Sequence, residues 1–168
     1  MELTELPFLF PGRIYRSAMP FSAHDPDGEL IHAYDTNSVT LIVMLASDEE
    51  GKRITGRDLR SAYNAQGFDV LYLPIPDFST PEVDDLNVTV QQVLAHSLSG
   101  GRVAIHCHAG IGRTGMFAAC LAKCGMGYSS EDAIDWVRDY IPGAIEVPEQ
   151  EQLVRSLICK EVVNHVDH

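Results

Sequence analysis

Val103-Ala104-Ile105-His106-Cys107-His108-Ala109-Gly110-Ile111-Gly112-Arg113-Thr114-Gly115 reads as a short apolar strand, a loop of small residues and the opening of a helix. The strand is Val103 to His106, and the run from about Arg113 to Cys124 is apolar nearly all round, the pattern of a central buried helix. Between them a cysteine stands six residues ahead of an arginine, which suits a loop that wraps a phosphate. Gly110, Gly112 and Gly115 admit left-handed or close-approach backbone, so that successive N–H groups can turn inward on an anion. Arg113 offers a planar fork that matches two phosphate oxygens. At a helix N-terminus and beside an arginine, Cys107 is expected to favour its thiolate, the nucleophilic form. Thr114 brings a hydroxyl close to it.

Outward from this segment, apolar runs at Val39 to Leu45 and Val70 to Leu73 read as buried strands, with Ile14 to Arg16 as an edge strand. Helical patterns at Gly28 to Asn37, Gly56 to Gln66 and Pro81 to Leu98 separate them. This alternation predicts one α/β domain with a central, mostly parallel sheet of four to five strands flanked by helices. Thr80 is expected to cap the third of these helices and Pro81 to begin it. Ser129 opens a further helix, and Pro148 a last one with an apolar stripe of Leu153, Val154, Leu157, Ile158 and Val162. The single domain is expected to fill residues 1–168, with 1–38 as a rim segment and 39–168 as the core.

The 168 residues carry a formal net charge of -12, which weighs against nucleic acid or an anionic membrane as a partner. Any phosphate chemistry must then come from a local electropositive pocket. No stretch reaches the apolar length of a membrane span, so a cytoplasmic protein is expected. Cys107, Cys120, Cys124 and Cys159 show neither metal spacing nor a secretory context, and no disulfide is expected. Cys120 and Cys124, one turn apart, read as small buried hydrophobes. His165 and His168 read as solvated.

Phosphomonoester cleavage also needs a proton for the departing oxygen. Asp77, in Pro74-Ile75-Pro76-Asp77-Phe78-Ser79-Thr80-Pro81, directly follows a strand whose end shares a sheet edge with the cysteine loop. In the presence of that loop, Asp77 is the candidate acid.

The segment from His106-Cys107 to Arg113-Thr114 resembles the signature loop of the cysteine-dependent protein tyrosine phosphatases. Asp77-Phe78-Ser79-Thr80-Pro81 resembles the general-acid segment of that superfamily. Pro142-Gly143-Ala144-Ile145-Glu146-Val147-Pro148-Glu149-Gln150 is similar to a downstream segment of its compact dual-specificity members, of the atypical and Cdc14-like branches. The likeness covers roughly residues 39 to 158. It implies Cys107 as nucleophile, Arg113 as phosphate clamp, Asp77 as acid and then base, and Thr114 as helper in the second step. It further implies that His106 supports the thiolate from behind. The phosphate would lie against His108, Ala109, Gly110, Ile111, Gly112 and Arg113, with Gln150 orienting the water. No tyrosine-bearing loop of the larger relatives is found, so the expected substrate is a phosphoprotein carrying phosphotyrosine, with phosphoserine or phosphothreonine also accepted. No metal or other cofactor is implied, and a monomer is expected.

Other readings remain for the same residues. Gly110-x-Gly112-x-x-Gly115 also fits a dinucleotide fingerprint, but no second strand ends in an acidic residue about twenty positions on. A sulfurtransferase would leave Arg113, Thr114 and Asp77 unexplained. His106, Cys107 and His108 are adjacent and cannot readily converge on one metal. A phosphatase of lipid or nucleotide phosphates, or a non-catalytic phosphate-binding module, would use the same loop. His108, Ala109, Ile111 and Gly112 include no lysine that would favour a polyphosphorylated inositol head group.

Overall fold

In the computed structural model, which describes residues 2–161, the chain runs through five strands and seven helices. They are β1 (Thr4–Leu6), β2 (Arg13–Ser17), α1 (Glu29–Thr36), β3 (Leu41–Met44), α2 (Asp48–Thr55), α3 (Leu59–Ala65), β4 (Asp69–Tyr72), α4 (Val83–Leu98), β5 (Arg102–His106), α5 (Gly112–Met126), α6 (Ser130–Tyr140) and α7 (Pro148–Ser156). The sheet order is β1-β2-β5-β3-β4, with β1 antiparallel to β2 and the other pairs parallel. The parallel strands therefore end on one edge of the sheet. The segments after β3, β4 and β5 leave from that edge.

The pleat divides the core. Leu41 and Val43 of β3, with Val103 and Ile105 of β5, face one apolar cluster together with side chains of α4, α5, α6 and α7. Ile42 and Met44, with Ala104, face the other, which includes Leu30 and Tyr34 of α1 and Leu59 and Tyr63 of α3. Period-two alternation is what a strand covered on both faces must satisfy. In α5, every residue from Gly112 to Ala122 is buried, as its all-round apolar pattern predicts. Gly115 is required there, because a Cβ would lie 2.4 Å from that of Ala144. No helix among the described residues is long and apolar enough to cross a membrane.

Several expectations are corrected. The strand expected at Ile14 to Arg16 is internal: β2 lies between β5 and β1, and the three-residue β1 forms the edge. A strand that short carries too little periodicity to be read from sequence. The N-terminal segment expected as a rim thus also contributes strands to the sheet. Between β3 and α3 stands α2, whose Asp-Glu-Glu-Gly-Lys-Arg composition buries only Gly51 and so lacks an apolar stripe. Gly56 is the left-handed cap of α2, at φ 71°, and not the start of the next helix. Helix α4 starts at Val83, two residues later than expected, with Glu82 and not Thr80 at its N-cap and no side-chain cap there. In the preceding loop Gln150 Nε2 donates to the Ser79 carbonyl at 3.1 Å. Ser129 does cap α6, accepting from the Asp132 N–H, and Pro148 does open α7. In the last stripe Leu153, Val154 and Leu157 are buried, whereas Ile158 is 80% exposed beyond the helix end. Val162, His165 and His168 lie outside the described residues.

The expectation of unpaired thiols is also overturned. Cys124, near the end of α5, is bonded to Cys159, beyond α7, with Cα atoms 5.2 Å apart. The pairing depends on the chain returning over α5, where Lys123 Nζ donates to the carbonyls of Val154 and Leu157 at 2.8 and 2.6 Å. Nothing in the local spacing of the cysteines announces that return. Cys120 remains a free, fully buried thiol, and burial pushes its pKa up to about 12. Closing a loop of 35 residues stabilises by about 3–4 kcal/mol in the chain-entropy account. Cys159→Ser is expected to lower the unfolding free energy in urea by that order under non-reducing conditions. The same substitution should leave the stability of the reduced protein nearly unchanged.

Candidate active site

Cys107 follows β5 directly and lies at the bottom of a pocket of about 220 Å³. Its lining comprises His24, Asp77, Phe78, Cys107, His108, Ala109, Gly112, Arg113 and Glu146. The thiol is 3% exposed, and Thr114, on the first turn of α5, donates a hydrogen bond from Oγ1 to Sγ at 3.2 Å. The segment Cys107 to Arg113 is therefore a loop closing on a helix N-terminus, where orphan N–H groups and the helix dipole favour negative charge.

The loop's carbonyls are tied away from the pocket. His106 Nδ1 donates to the Cys107 carbonyl at 2.9 Å, and the Met19 N–H donates to the His108 carbonyl at 2.8 Å. In a trans peptide the carbonyl and the following N–H point in opposite directions. Anchoring these two carbonyls outward turns the N–H groups of His108 and Ala109 to the pocket side. Gly110 takes a left-handed φ of 75°, and a Cβ there would stand 2.3 Å from the Ser17 carbonyl oxygen. No other residue fits that position without moving β2.

His106 is fully buried, and burial lowers its pKa from 6.5 to about 4, with the charge of Arg113 acting in the same direction. The imidazole is therefore neutral at pH 7. Its Nδ1 carries the proton, because a carbonyl can only accept, and its Nε2 then accepts from the Tyr63 hydroxyl at 2.8 Å. Burial raises the Tyr63 pKa well above its usual value, which keeps that hydroxyl a donor. Behind Cys107, His106 thus makes a hydrogen bond to the loop backbone through an uncharged ring.

Arg113 is the largest of the fully buried side chains. Its fork reaches Glu50 on α2, with NH1 to Oε2 at 2.7 Å and NH2 to Oε1 at 2.8 Å, and NH1 also donates to the Ile75 carbonyl at 2.8 Å. Burial works against ionisation of Glu50, but the hydrogen bonds and charge of Arg113 outweigh it and hold the carboxyl below its usual range. Burial opposes the charge of Arg113 too, and Glu50 and Cys107 more than offset it. Sequence reasoning missed Glu50. Its signal was Ser47-x-x-Glu50 after a strand, the pattern of a capping box. Ser47 does accept from the Glu50 N–H, while the carboxylate is directed to Arg113 instead of back to the cap.

Asp77 lies 49% exposed at the pocket mouth, its Oδ1 3.5 Å from Arg113 NH2 and accepting from the Phe78 N–H at 3.0 Å. Phe78 holds a left-handed φ of 58° and is itself 60% exposed. Cys107, Arg113, Asp77, His108, Ala109 and Gly112 thus converge on one pocket, while Gly110, Ile111 and Thr114 support it from the loop and helix. Gln150 does not line it. Its side chain is buried with both ends engaged: Oε1 accepts from the Glu146 N–H at 2.9 Å and Nε2 donates to Ser79. It ties the segment carrying Asp77 to the segment carrying Glu146. The pocket residues His24 and Glu146 were not expected from sequence: His24 lies in no motif, and the segment 142–150 pointed to Gln150 and not to Glu146. Among the described residues no cluster of side chains suited to a metal ion is found.

A doubly covered parallel sheet with a cysteine-to-arginine loop at its carboxyl edge is the architecture of the cysteine-dependent tyrosine and dual-specificity phosphatases. A family profile described as "Tc-R-P: Polymorphic toxin system, DSP-PTPase phosphatase" matches residues 24–126, and the chain belongs to this family. That family falls within the same superfamily. The tyrosine-protein phosphatase cdc-14 of Caenorhabditis elegans is 28% identical over 164 residues, covering 93% of this chain and 22% of that protein. The chain thus spans less than a quarter of that relative's length. The crystal structure of Tk-PTP in the active form is 30% identical with a TM-score of 0.74, covering 87% of this chain and 91% of the other. Kinase associated phosphatase shares the fold at a TM-score of 0.82 and 20% identity, over 90% of each chain.

The depressed pKa of His106 has a consequence for stability. Between pH 6.5 and about 4 the unfolded chain protonates this residue and the folded chain does not. Stability is therefore fully present above 6.5 and is lost as pH falls through that window, by up to about 3 kcal/mol. Urea unfolding as a function of pH is expected to show this slope, and His106→Asn is expected to flatten it.

Proposed function

We propose that this chain hydrolyses phosphomonoesters on protein side chains, phosphotyrosine foremost and phosphoserine or phosphothreonine in addition, through a phosphocysteine intermediate. The observation that carries this reading is the Thr114 hydroxyl donating to Cys107 Sγ at 3.2 Å, at the floor of a pocket also lined by Arg113 and Asp77. In the first step the Cys107 thiolate attacks phosphorus. The S–P bond forms, the ester P–O bond breaks, and the Asp77 carboxyl gives its proton to the departing oxygen. The loop N–H groups and Arg113 stabilise the charge that spreads over the equatorial oxygens. In the second step water attacks phosphorus, the Asp77 carboxylate takes its proton, and the S–P bond breaks. The hydrogen bond from Thr114 stabilises the thiolate as it leaves.

The walls favour this substrate class. Asp77 and Glu146 line the pocket and Glu50 stands behind Arg113, so a ligand with several phosphates meets repulsion around a single cationic floor. A side chain bearing one phosphate does not.

The test uses reduced protein with p-nitrophenyl phosphate, a phosphotyrosine peptide and a phosphothreonine peptide. Cys107→Ser is expected to abolish turnover and still bind phosphate. Asp77→Asn is expected to slow turnover by about 10²–10⁴-fold for the poor leaving group of the phosphothreonine peptide, and less for p-nitrophenyl phosphate. Turnover near wild type in Cys107→Ser overturns the nucleophile, and an undiminished rate in Asp77→Asn overturns the acid.

A further inference from the structure

The sequence motif Tyr15-Arg16-Ser17, at the end of β2, has no role in the chemistry above, yet it lies directly behind the cysteine loop. In the parallel pairing of β2 with β5, Arg16 stands opposite Ile105 and Ser17 opposite His106. From there Arg16 NH1 donates to the Gly110 carbonyl at 3.1 Å. Burial lowers the pKa of Arg16, and the negative charge of Cys107 acts against that lowering. The Arg16 Nε–H is buried and has no hydrogen-bond partner among the described residues. A half-buried guanidinium with an unsatisfied donor is costly to keep. Its one hydrogen bond here goes to the backbone of the loop.

Gly110 is the residue at which the loop backbone turns left-handed, so the peptide between Gly110 and Ile111 has no regular ladder to orient it. Every peptide bond among the described residues is trans. With the Gly110 carbonyl held by Arg16, the Ile111 N–H points the opposite way across the trans peptide. His106 and Met19 do the same for the carbonyls of Cys107 and His108. Arg16 is the only one of the three anchors that carries a formal positive charge at neutral pH. That charge stands behind the loop, where it interacts with Cys107.

We propose that Arg16 is a positioning residue of the phosphate cradle: through the Gly110 carbonyl it aims the Ile111 N–H at the bound oxyanion. The proposal rests on the reading of the loop as a phosphate site. It assigns to β2 a part in catalysis exerted entirely through backbone orientation and charge, with no contact to substrate.

The experiment compares wild type, Arg16→Lys and Arg16→Met. Inorganic phosphate is titrated into each reduced, 15N-labelled protein while amide resonances are followed, and kcat and KM are measured with p-nitrophenyl phosphate. Arg16→Met is expected to weaken phosphate binding and lower kcat/KM by about 10- to 100-fold, the cost of one charge-assisted hydrogen bond. It is also expected to lose the phosphate-induced shift of the Ile111 amide while keeping those of His108 and Ala109. Arg16→Lys, which can still reach a carbonyl with a charged donor, is expected to recover part of both. A purely structural role would lower the melting temperature without separating Ile111 from its neighbours. Phosphate affinity and an Ile111 shift equal to wild type in Arg16→Met overturn the proposal, as does an Arg16→Lys variant no better than Arg16→Met. If wild type itself neither binds phosphate nor turns over, it is the phosphatase-site reading that fails, before Arg16 is tested at all.

Discussion

A guanidinium taken almost wholly out of water needs a carboxylate and further acceptors beside it, and Arg113 imposes that requirement on everything around the pocket. With its side chain 1% exposed, it takes both oxygens of Glu50 and the carbonyl of Ile75. Each partner arrives from the carboxyl end of a different parallel strand. Glu50 comes from the helix after β3, Ile75 and Asp77 from the loop after β4, and Cys107 from the loop after β5. The sheet edge is thereby fastened into one unit around a single cation. Removing one member of a buried pair of this kind costs on the order of 3–5 kcal/mol, because the other charge is left stranded. The fork is consequently fixed before any substrate arrives, which is the preorganisation that phosphoryl transfer demands.

The same arrangement reconciles an acidic protein with an anionic ligand. A net charge of -12 repels phosphate at long range, but that field is screened within about 10 Å at ordinary ionic strength. In the proposed reading, attraction operates only inside the pocket, through Arg113 and the backbone N–H groups at the head of α5. The carboxylates of Asp77 and Glu146 line the same pocket, and the proposed preference for a ligand with a single phosphate follows from their charge.

The part of this site that was legible in the sequence is the part written in contiguous residues. Val103 to Thr114 carries its strand, its loop glycines and its helix in one run, so chemistry and local structure could be read together. Asp77 was legible because strand order in a parallel sheet brings successive strand ends to the same edge. Glu50 was hidden because α2 is nearly all charged and has no apolar face to betray it as a helix. The contacts of Gln150 were hidden for a related reason: a buried amide satisfied by two backbone groups looks, in sequence, like any polar residue in a functional segment. The bond between Cys124 and Cys159 depends on the tail packing back along α5, a tertiary event that spacing does not encode. The β1 edge escaped notice because three residues are too few to show a period.

The central claim, that Cys107 is the atom through which phosphate passes, is tested most directly by trapping the intermediate. Reduced protein is mixed with p-nitrophenyl phosphate, quenched in acid within the first turnover and digested, and the peptide that contains Cys107 is weighed. The account predicts the added mass of one phosphoryl group on that peptide, localised to sulfur, and its absence in Cys107→Ser. Turnover with no phosphoryl group on Cys107 at any quench time, or with the group on another residue, would contradict it.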